Sequence, residues 1–247
     1  MKLIVLGSQS PLASKGHNCP GFLVESSNAT ILLDCGSGTH SMVKFPEVFH
    51  DLHIFISHLH IDHFSDVFIY QLNAYVYQCL GKISKPINIY MPKTPENDAN
   101  YIASQQFKYA EYKTIAPDTE FKIGDAIISF CPTAHPIETY AIKVREGNKA
   151  VVYTADTSFD AHDKLVSFAK GVDLLISESS LLVEHNSPTI KTHLTAEQAG
   201  IIAKDSEAKQ LMLTHFWHEE SVDKYINEAR QVFKNVIPAV EGRELNF

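Results

Sequence analysis

The stretch Ser57-His58-Leu59-His60-Ile61-Asp62-His63 sets three imidazoles and a carboxylate almost side by side. A histidine-rich turn is ordinarily a solvated loop. At this chain's histidine and aspartate frequencies, however, H-x-H-x-D-H should arise by chance in only about 0.002 of such sequences. The stretch also follows Leu52, Ile54 and Ile56 alternating with Asp51, His53 and Phe55, which is the period of a strand. A helical segment is expected to open near Asp62. Side chains at i and i+2 leaving a strand point the same way, so His58 and His60 can grip one cation. Asp62 and His63, fanning around the first helical turn, can face a second. Imidazole and carboxylate suit Zn²⁺, and also Mn²⁺ or Fe²⁺, without any thiolate. Four ligands cannot complete two sites, so the others must come from elsewhere in the chain.

Candidates recur at the ends of apolar runs. Lys2 to Leu6, Gly21 to Glu25 and Thr30 to Leu33 read as strands, the last ending in Asp34-Cys35-Gly36-Ser37-Gly38. Those glycines lack the Lys-Ser/Thr of a phosphate loop and read instead as permitting close backbone approach beside the histidine loop. Asp62 to Cys79 carries Phe64, Val67, Phe68, Leu72, Tyr75 and Val76 at helical spacing, a core-facing stripe. Pro86 to Met91 reads as a strand and Thr94 to Phe107 as a helix. Phe121 to Asp125 reads as a hairpin into strand Ala126 to Phe130, after which His135 stands between Ala134 and Pro136. A lone histidine is usually structural, but this one stands where a fifth ligand is needed. Tyr140 to Val144 and Ala150 to Tyr153 are strand-like, and Asp156 after them is either a helix cap or a ligand shared by two cations. Val172 to Ile176 is a strand leading to Glu178, which either supports the site or merely ends the strand. His193 precedes the capping box Thr195-Ala196-Glu197-Gln198, which opens a helix to about Asp205. Gln210 to Leu213 is a strand ended by Thr214-His215, and Val222 to Phe233 an amphipathic helix. Trp217 and His218 read as packing residues. His17, His40, His50, His53, His162 and His185 lie off the pattern, as surface or local hydrogen-bonding groups.

The formal charge of −8 opposes broad attraction to nucleic acid or anionic membranes. Cys19, Cys35, Cys79 and Cys131 form no C-x-x-C pair and read as reduced core thiols. The apolar run Leu3 to Leu6 is too short for a signal peptide, and no stretch approaches a membrane span. A soluble, cytoplasmic protein is expected, with one domain over residues 1–247 and a homodimer compatible with the sequence.

The combination of H-x-H-x-D-H with His135, Asp156 and His215, in that order at strand ends, resembles the metallo-β-lactamase superfamily over nearly the whole chain. The resemblance implies an α/β fold, a four-layer αββα sandwich with a two-metal site at the sheet edge. His58, His60 and His135 would take one metal, Asp62, His63 and His215 the other, and Asp156 would bridge them. Asp156 stands where class B β-lactamases carry cysteine, which argues against antibiotic hydrolysis. The stretches Lys191 to Gly200 and Leu213 to Phe216 are similar to the ribonuclease Z group and its small phosphodiesterase relatives. There the histidine matching His193 assists the leaving oxygen. Bacterial ribonuclease Z also carries a long arm for transfer RNA between the positions of His135 and Asp156, and this chain has no room for one.

The implied reaction is hydrolysis of a small phosphodiester by a hydroxide shared between two divalent ions, with Asp62 orienting it or accepting its proton, and His193 as general acid or positive clamp on the departing oxygen. A lactone or thioester hydrolase on the same metals is the rival enzyme, separated by the Thr192-His193-Leu194-Thr195 segment. A non-catalytic metal-dependent sensor is the rival from another class, opposed by the intact ligand set.

Overall fold

The computed structural model describes residues 1–44, 47–104, 109–185 and 191–247. Strands Lys2–Gly7 (β1), Gly21–Glu25 (β2), Thr30–Leu33 (β3) and Leu52–Phe55 (β4) lead into helices Ile61–Phe64 (α1) and Val67–Cys79 (α2). Ile87–Met91 (β5), Glu96–Ser104 (α3) and Ala110–Thr114 (β6) follow. Glu120–Ile123 (β7), Ala126–Pro132 (β8), Tyr140–Glu146 (β9) and Lys149–Tyr153 (β10) then precede His162–Phe168 (α4) and Leu174–Glu178 (β11). The chain finishes with Ala196–Asp205 (α5), Leu211–Thr214 (β12), Val222–Arg230 (α6), Val236–Pro238 (β13) and Glu244–Asn246 (β14).

These strands form two seven-stranded mixed sheets, ordered β14-β1-β2-β3-β4-β5-β6 and β13-β12-β11-β10-β9-β8-β7. Strand alternation shows why they stack. In β3, Ile31 and Leu33 enter the core between the sheets while Leu32 faces the helical layer over the first sheet. In β10, Val151 and Tyr153 join the same central core and Val152 the layer under α4, α5 and α6. A sheet buried on both faces needs apolar side chains at every position, hence the unbroken apolar runs. The result is the four-layer αββα sandwich. The C-terminal ends of parallel strands β3 and β4 in one sheet, and β10, β11 and β12 in the other, meet at one rim.

Several boundaries differ from the sequence expectation. The helix expected from Asp62 to Cys79 is two helices, because the Asp66 amide donates to Cys35 O at 3.0 Å rather than continuing the ladder. The Asp66 carboxylate is occupied too, accepting from His40 N at 2.9 Å. The buried face of α2 is Val67, Tyr70, Gln71 and Ala74, whereas Leu72, Tyr75 and Val76 are exposed. Both faces of α2 carry apolar residues, so periodicity alone could not choose between them. Helix α3 starts at Glu96 and is described to Ser104; the remainder of the expected helix lies outside the described residues. The strand expected at Val172 to Ile176 is Leu174–Glu178, and α6 ends at Arg230. Strand β6 was not anticipated, being an edge strand with exposed Glu111 and Lys113 among its residues. All four cysteines are free, but Cys79 is exposed rather than in the core. No helix among the described residues is long and apolar enough to cross a membrane.

Two of the expected local devices are present. Thr195 and Gln198 form the reciprocal capping box of α5. At Gly36, a Cβ would stand 2.1 Å from the Asp62 carbonyl and 2.6 Å from Cys19 Cβ. Only glycine lets β3's exit touch the histidine loop. Gly36→Ala is therefore expected to cost about 3 kcal/mol, lowering Tm by roughly 6–12 °C in a chain of this size. A variant that melts like the wild type would contradict this close approach.

Candidate metal centre

The segments leaving the strand ends at the rim carry the candidate ligands. His58 and His60 leave β4, Asp62 and His63 lie in α1, His135 follows β8, Asp156 follows β10 and His215 follows β12. Three residues in this neighbourhood have left-handed backbone without being glycine: Asp34 at φ 56°, Ala155 at φ 52° and His215 at φ 67°. Such conformations persist only where the surroundings enforce them, and they cluster where side chains must be aimed.

All seven predicted metal-site residues converge, in two sets. In the first, His60 Nδ1 lies 3.1 Å from His58 Nε2 and 3.1 Å from His135 Nε2. Asp156 Oδ2 lies 3.5 Å from His58 Nε2 and 3.8 Å from His135 Nε2. In the second, His63 Nε2 and His215 Nε2 are 3.2 Å apart. Asp62 Oδ2 is 3.5 Å from His63 and 3.7 Å from His215, while Asp156 Oδ1 is 3.3 Å and 3.0 Å from the same two nitrogens. The two oxygens of Asp156 thus face different sets.

The outer hydrogen bonds fix which ring nitrogens face inward. Ser57 Oγ donates to Asp34 Oδ2 at 2.8 Å, so it accepts from His58 Nδ1 at 3.0 Å. His63 Nδ1 donates to Asp34 Oδ2 at 2.7 Å, and His135 Nδ1 to Thr192 O at 3.3 Å. Ser180 Oγ donates to Glu178 Oε2 at 2.7 Å and accepts from His215 Nδ1 at 2.6 Å. In neutral rings each of these four Nε2 atoms is therefore a bare lone pair, aimed at other lone pairs and at carboxylate oxygens. Asp156 Oδ1 is buried and accepts no hydrogen bond from the described residues. Crowded lone pairs repel unless something positive lies among them. Donors around a tetrahedral Zn²⁺ with bonds of ~2.0–2.1 Å would stand ~3.3 Å apart, close to the spacings here. The residues fit a divalent cation in each set.

Without cations, protons must take over that role. Burial opposes charge on His63, but the Asp156, Asp62 and Asp34 carboxylates hold its pKa well above the ordinary value. Burial likewise opposes the charged form of Asp156, yet His215, His63 and His58 hold its carboxyl well below the usual range. Burial, with repulsion from His63 second, pushes His58 down to about 4.

The two catalytic candidates sit at the edges. Asp62 Oδ2 accepts from Ser10 Oγ at 2.7 Å. His193 Nδ1 lies 3.0 Å from Glu178 Oε1 and 4.0 Å from Asp156 Oδ2, with its ring stacked on His215 at 5.4 Å. Burial works against a charged His193, but Glu178, with Asp156 behind it, holds it up at about 9. Glu178 is fully buried and also accepts from Thr157 N at 2.8 Å, so its carboxylate ties His193 and Ser180 to the turn after β10. Asp156 is not a helix cap; Ser158 accepts from the Asp160 amide instead.

Sequence reasoning missed Asp34, Tyr153, Ser10 and Ser180. Asp34 is fully buried, accepting from Ser57 N at 2.7 Å, from Tyr153 Oη at 2.9 Å and from His63. Its signal was present: like Asp156, it is a carboxylate at the end of an apolar strand. The other three are ordinary residue types whose partners are distant in sequence. Among the histidines off the pattern, His17, His53 and His162 contact Glu241, Tyr90 and Asp205 at 3.2, 3.0 and 2.9 Å, partners distant in sequence.

The β-lactamase superfamily domain matches residues 29–216. YhfI of Bacillus subtilis (strain 168), a probable metallo-hydrolase, is 33% identical over 245 residues, covering 96% of each chain. The crystal structure of YhfI superposes with a TM-score of 0.89 over 99% of both chains. Ribonuclease Z of Archaeoglobus fulgidus is 26% identical over 304 residues, covering 99% of this chain and 97% of its own. A diphosphatase of the PhnP family shares the fold at TM-score 0.75 and 18% identity, covering 100% of this chain and 97% of its own.

Metal removal should invert the pH dependence of stability. A raised His63 contributes stability fully present below its unfolded value of ~6.5 and lost as pH rises through the folded value. Chelated protein should therefore lose Tm from about pH 6.5 toward pH 9, the same direction as His193 at about 9. Metal-loaded protein should gain or hold Tm there, because ligands shed protons on binding. Parallel profiles for the two forms, measured by calorimetry, would contradict the assignment.

Proposed function

The chain belongs to the β-lactamase superfamily, as a metal-dependent hydrolase, and on that premise we propose that it cleaves a small phosphodiester at two divalent cations. His58, His60 and His135 with Oδ2 of Asp156 would hold one, and Asp62, His63 and His215 with Oδ1 of Asp156 the other. Sets rich in imidazole and free of thiolate suit Zn²⁺ first, then Mn²⁺ or Fe²⁺. Bound there, the cations would lower the pKa of water and offset charge on the phosphoryl oxygens.

The chain's own groups then have distinct tasks. Ser10 pins one oxygen of Asp62, so that carboxylate is oriented to take the proton of the attacking water. His193 carries the phosphodiester reading. Its Nδ1–H is given to Glu178, which leaves Nε2–H as the proton for the departing oxygen. Its raised pKa brings it in as an imidazolium, and nearby cations would draw that value back toward neutrality, where a general acid works best. Ring opening of a lactone can use water for the same proton, so the pairing of half-buried His193 with buried Glu178 favours the phosphodiester over the carbonyl substrate.

The ribonuclease name of the archaeal relative belongs with the same bond class. A small substrate is favoured over transfer RNA. Between His135 and Asp156 the chain makes the hairpin of β9 and β10, with β9 pairing back onto β8, and the net charge is −8. Nothing remains there for an arm that would grip RNA.

His193→Ala should keep its metals and its KM. Its kcat should fall ~10²–10⁴-fold on a diester with an alkoxide leaving group, and little on a p-nitrophenyl diester. Equal losses on both, with a lowered Tm, would make His193 only the entry residue of α5.

A further inference from the structure

We propose, building on the phosphodiesterase reading, that the cavity beside His193 and His215 binds a planar heteroaromatic group with N–H donors, such as an aminopurine base. The cavity measures about 550 Å³ and opens directly from the metal centre, since His193 and His215 form part of its wall. That is the size of an ordinary small-ligand pocket, roughly 300–1,000 Å³, and it exceeds what a bare phosphate needs. The substrate must carry something into it.

Its remaining walls say what. Pro11, Leu181 and Trp217 provide apolar surface. Trp217 is half-buried, with its ring 4.3 Å, centroid to centroid, from that of its exposed neighbour His218. An indole lining a cavity is a stacking platform that accepts any flat π-system. Glu220 supplies a carboxylate, beside the polar Ser10, Ser180, His185 and Thr192. Its carboxylate is fixed by His185 Nε2 at 3.3 Å and by Lys224 Nζ at 2.9 Å, leaving acceptor lone pairs at the cavity. A second phosphate would be repelled by this carboxylate, and the acyl tail of a lipid-like ester would desolvate it without compensation. A flat heterocycle with an amino group satisfies both the indole and the carboxylate. Its phosphate then lies toward the cations.

Trp217 is the chain's one tryptophan, so its emission reports this cavity directly. Metal-loaded protein should be titrated with adenosine 5′-monophosphate, ribose 5-phosphate and inorganic phosphate. Adenosine monophosphate should change the emission and bind at least about tenfold more tightly than ribose 5-phosphate. By calorimetry, Trp217→Ala should weaken adenosine monophosphate by roughly 5- to 100-fold, while leaving ribose 5-phosphate binding and metal content unchanged. Glu220→Gln, which keeps the indole, should weaken adenosine monophosphate but not purine riboside monophosphate, which lacks the amino group. Equal affinity for adenosine monophosphate and ribose 5-phosphate, with unchanged emission, would overturn the proposal. The two readings fail separately. Base-dependent binding without diester hydrolysis would keep the cavity assignment and remove the phosphodiesterase. Diester hydrolysis with silent emission would do the reverse.

Discussion

A buried carboxylate ringed by inward-facing imidazole lone pairs cannot stand without positive charge, and the rim of this fold is built around that need. Asp156 is 3% exposed, and within 3.0–3.8 Å of its oxygens lie the Nε2 atoms of His58, His63, His135 and His215. Three of the four imidazoles follow strand ends in both sheets and the fourth, His63, lies in α1 just after β4, so the central sandwich and the site are one mechanical object. Ala155, one residue before Asp156, takes left-handed backbone. The strand is thereby turned at the point where the carboxylate must enter the centre.

Behind the centre, a second carboxylate keeps the rings aimed. Asp34 gathers Ser57, His63 and Tyr153 into one buried network, and Ser57 in turn fixes His58. Glu178 does the same on the opposite side, for His193 directly and for His215 through Ser180. Such outer partners set tautomer and orientation, and a ring misaimed by one ångström would lose its cation. The proposed chemistry divides along this line: Asp34 serves the ligands, while Glu178 serves both a ligand and the proton donor.

What was legible in the sequence is what local pattern can carry. The histidine loop is contiguous, and His135, Asp156 and His215 each follow an apolar run, but it was the resemblance to the metallo-β-lactamase superfamily that gathered the seven into one expected ligand set. The β2–β3 pair and the Thr195 capping box were legible from local pattern, since their partners are near in sequence. Ser10, Ser180 and Tyr153 were not, because nothing about a serine or tyrosine marks it until folding brings Asp62, His215 or Asp34 within reach. The buried face of α2 was misread through Leu72, Tyr75 and Val76, since an apolar residue on a helix does not say which side is covered. Strand β6 escaped because an edge strand has few buried positions to reveal it.

The central claim is that one carboxylate divides two cations between two histidine sets. Anomalous diffraction from zinc-loaded crystals tests it most directly. The account predicts two peaks about 3.5–4 Å apart, one among His58, His60 and His135 and one among Asp62, His63 and His215, with an Asp156 oxygen against each. A single peak, or two peaks of which one lies away from Asp156, would contradict it.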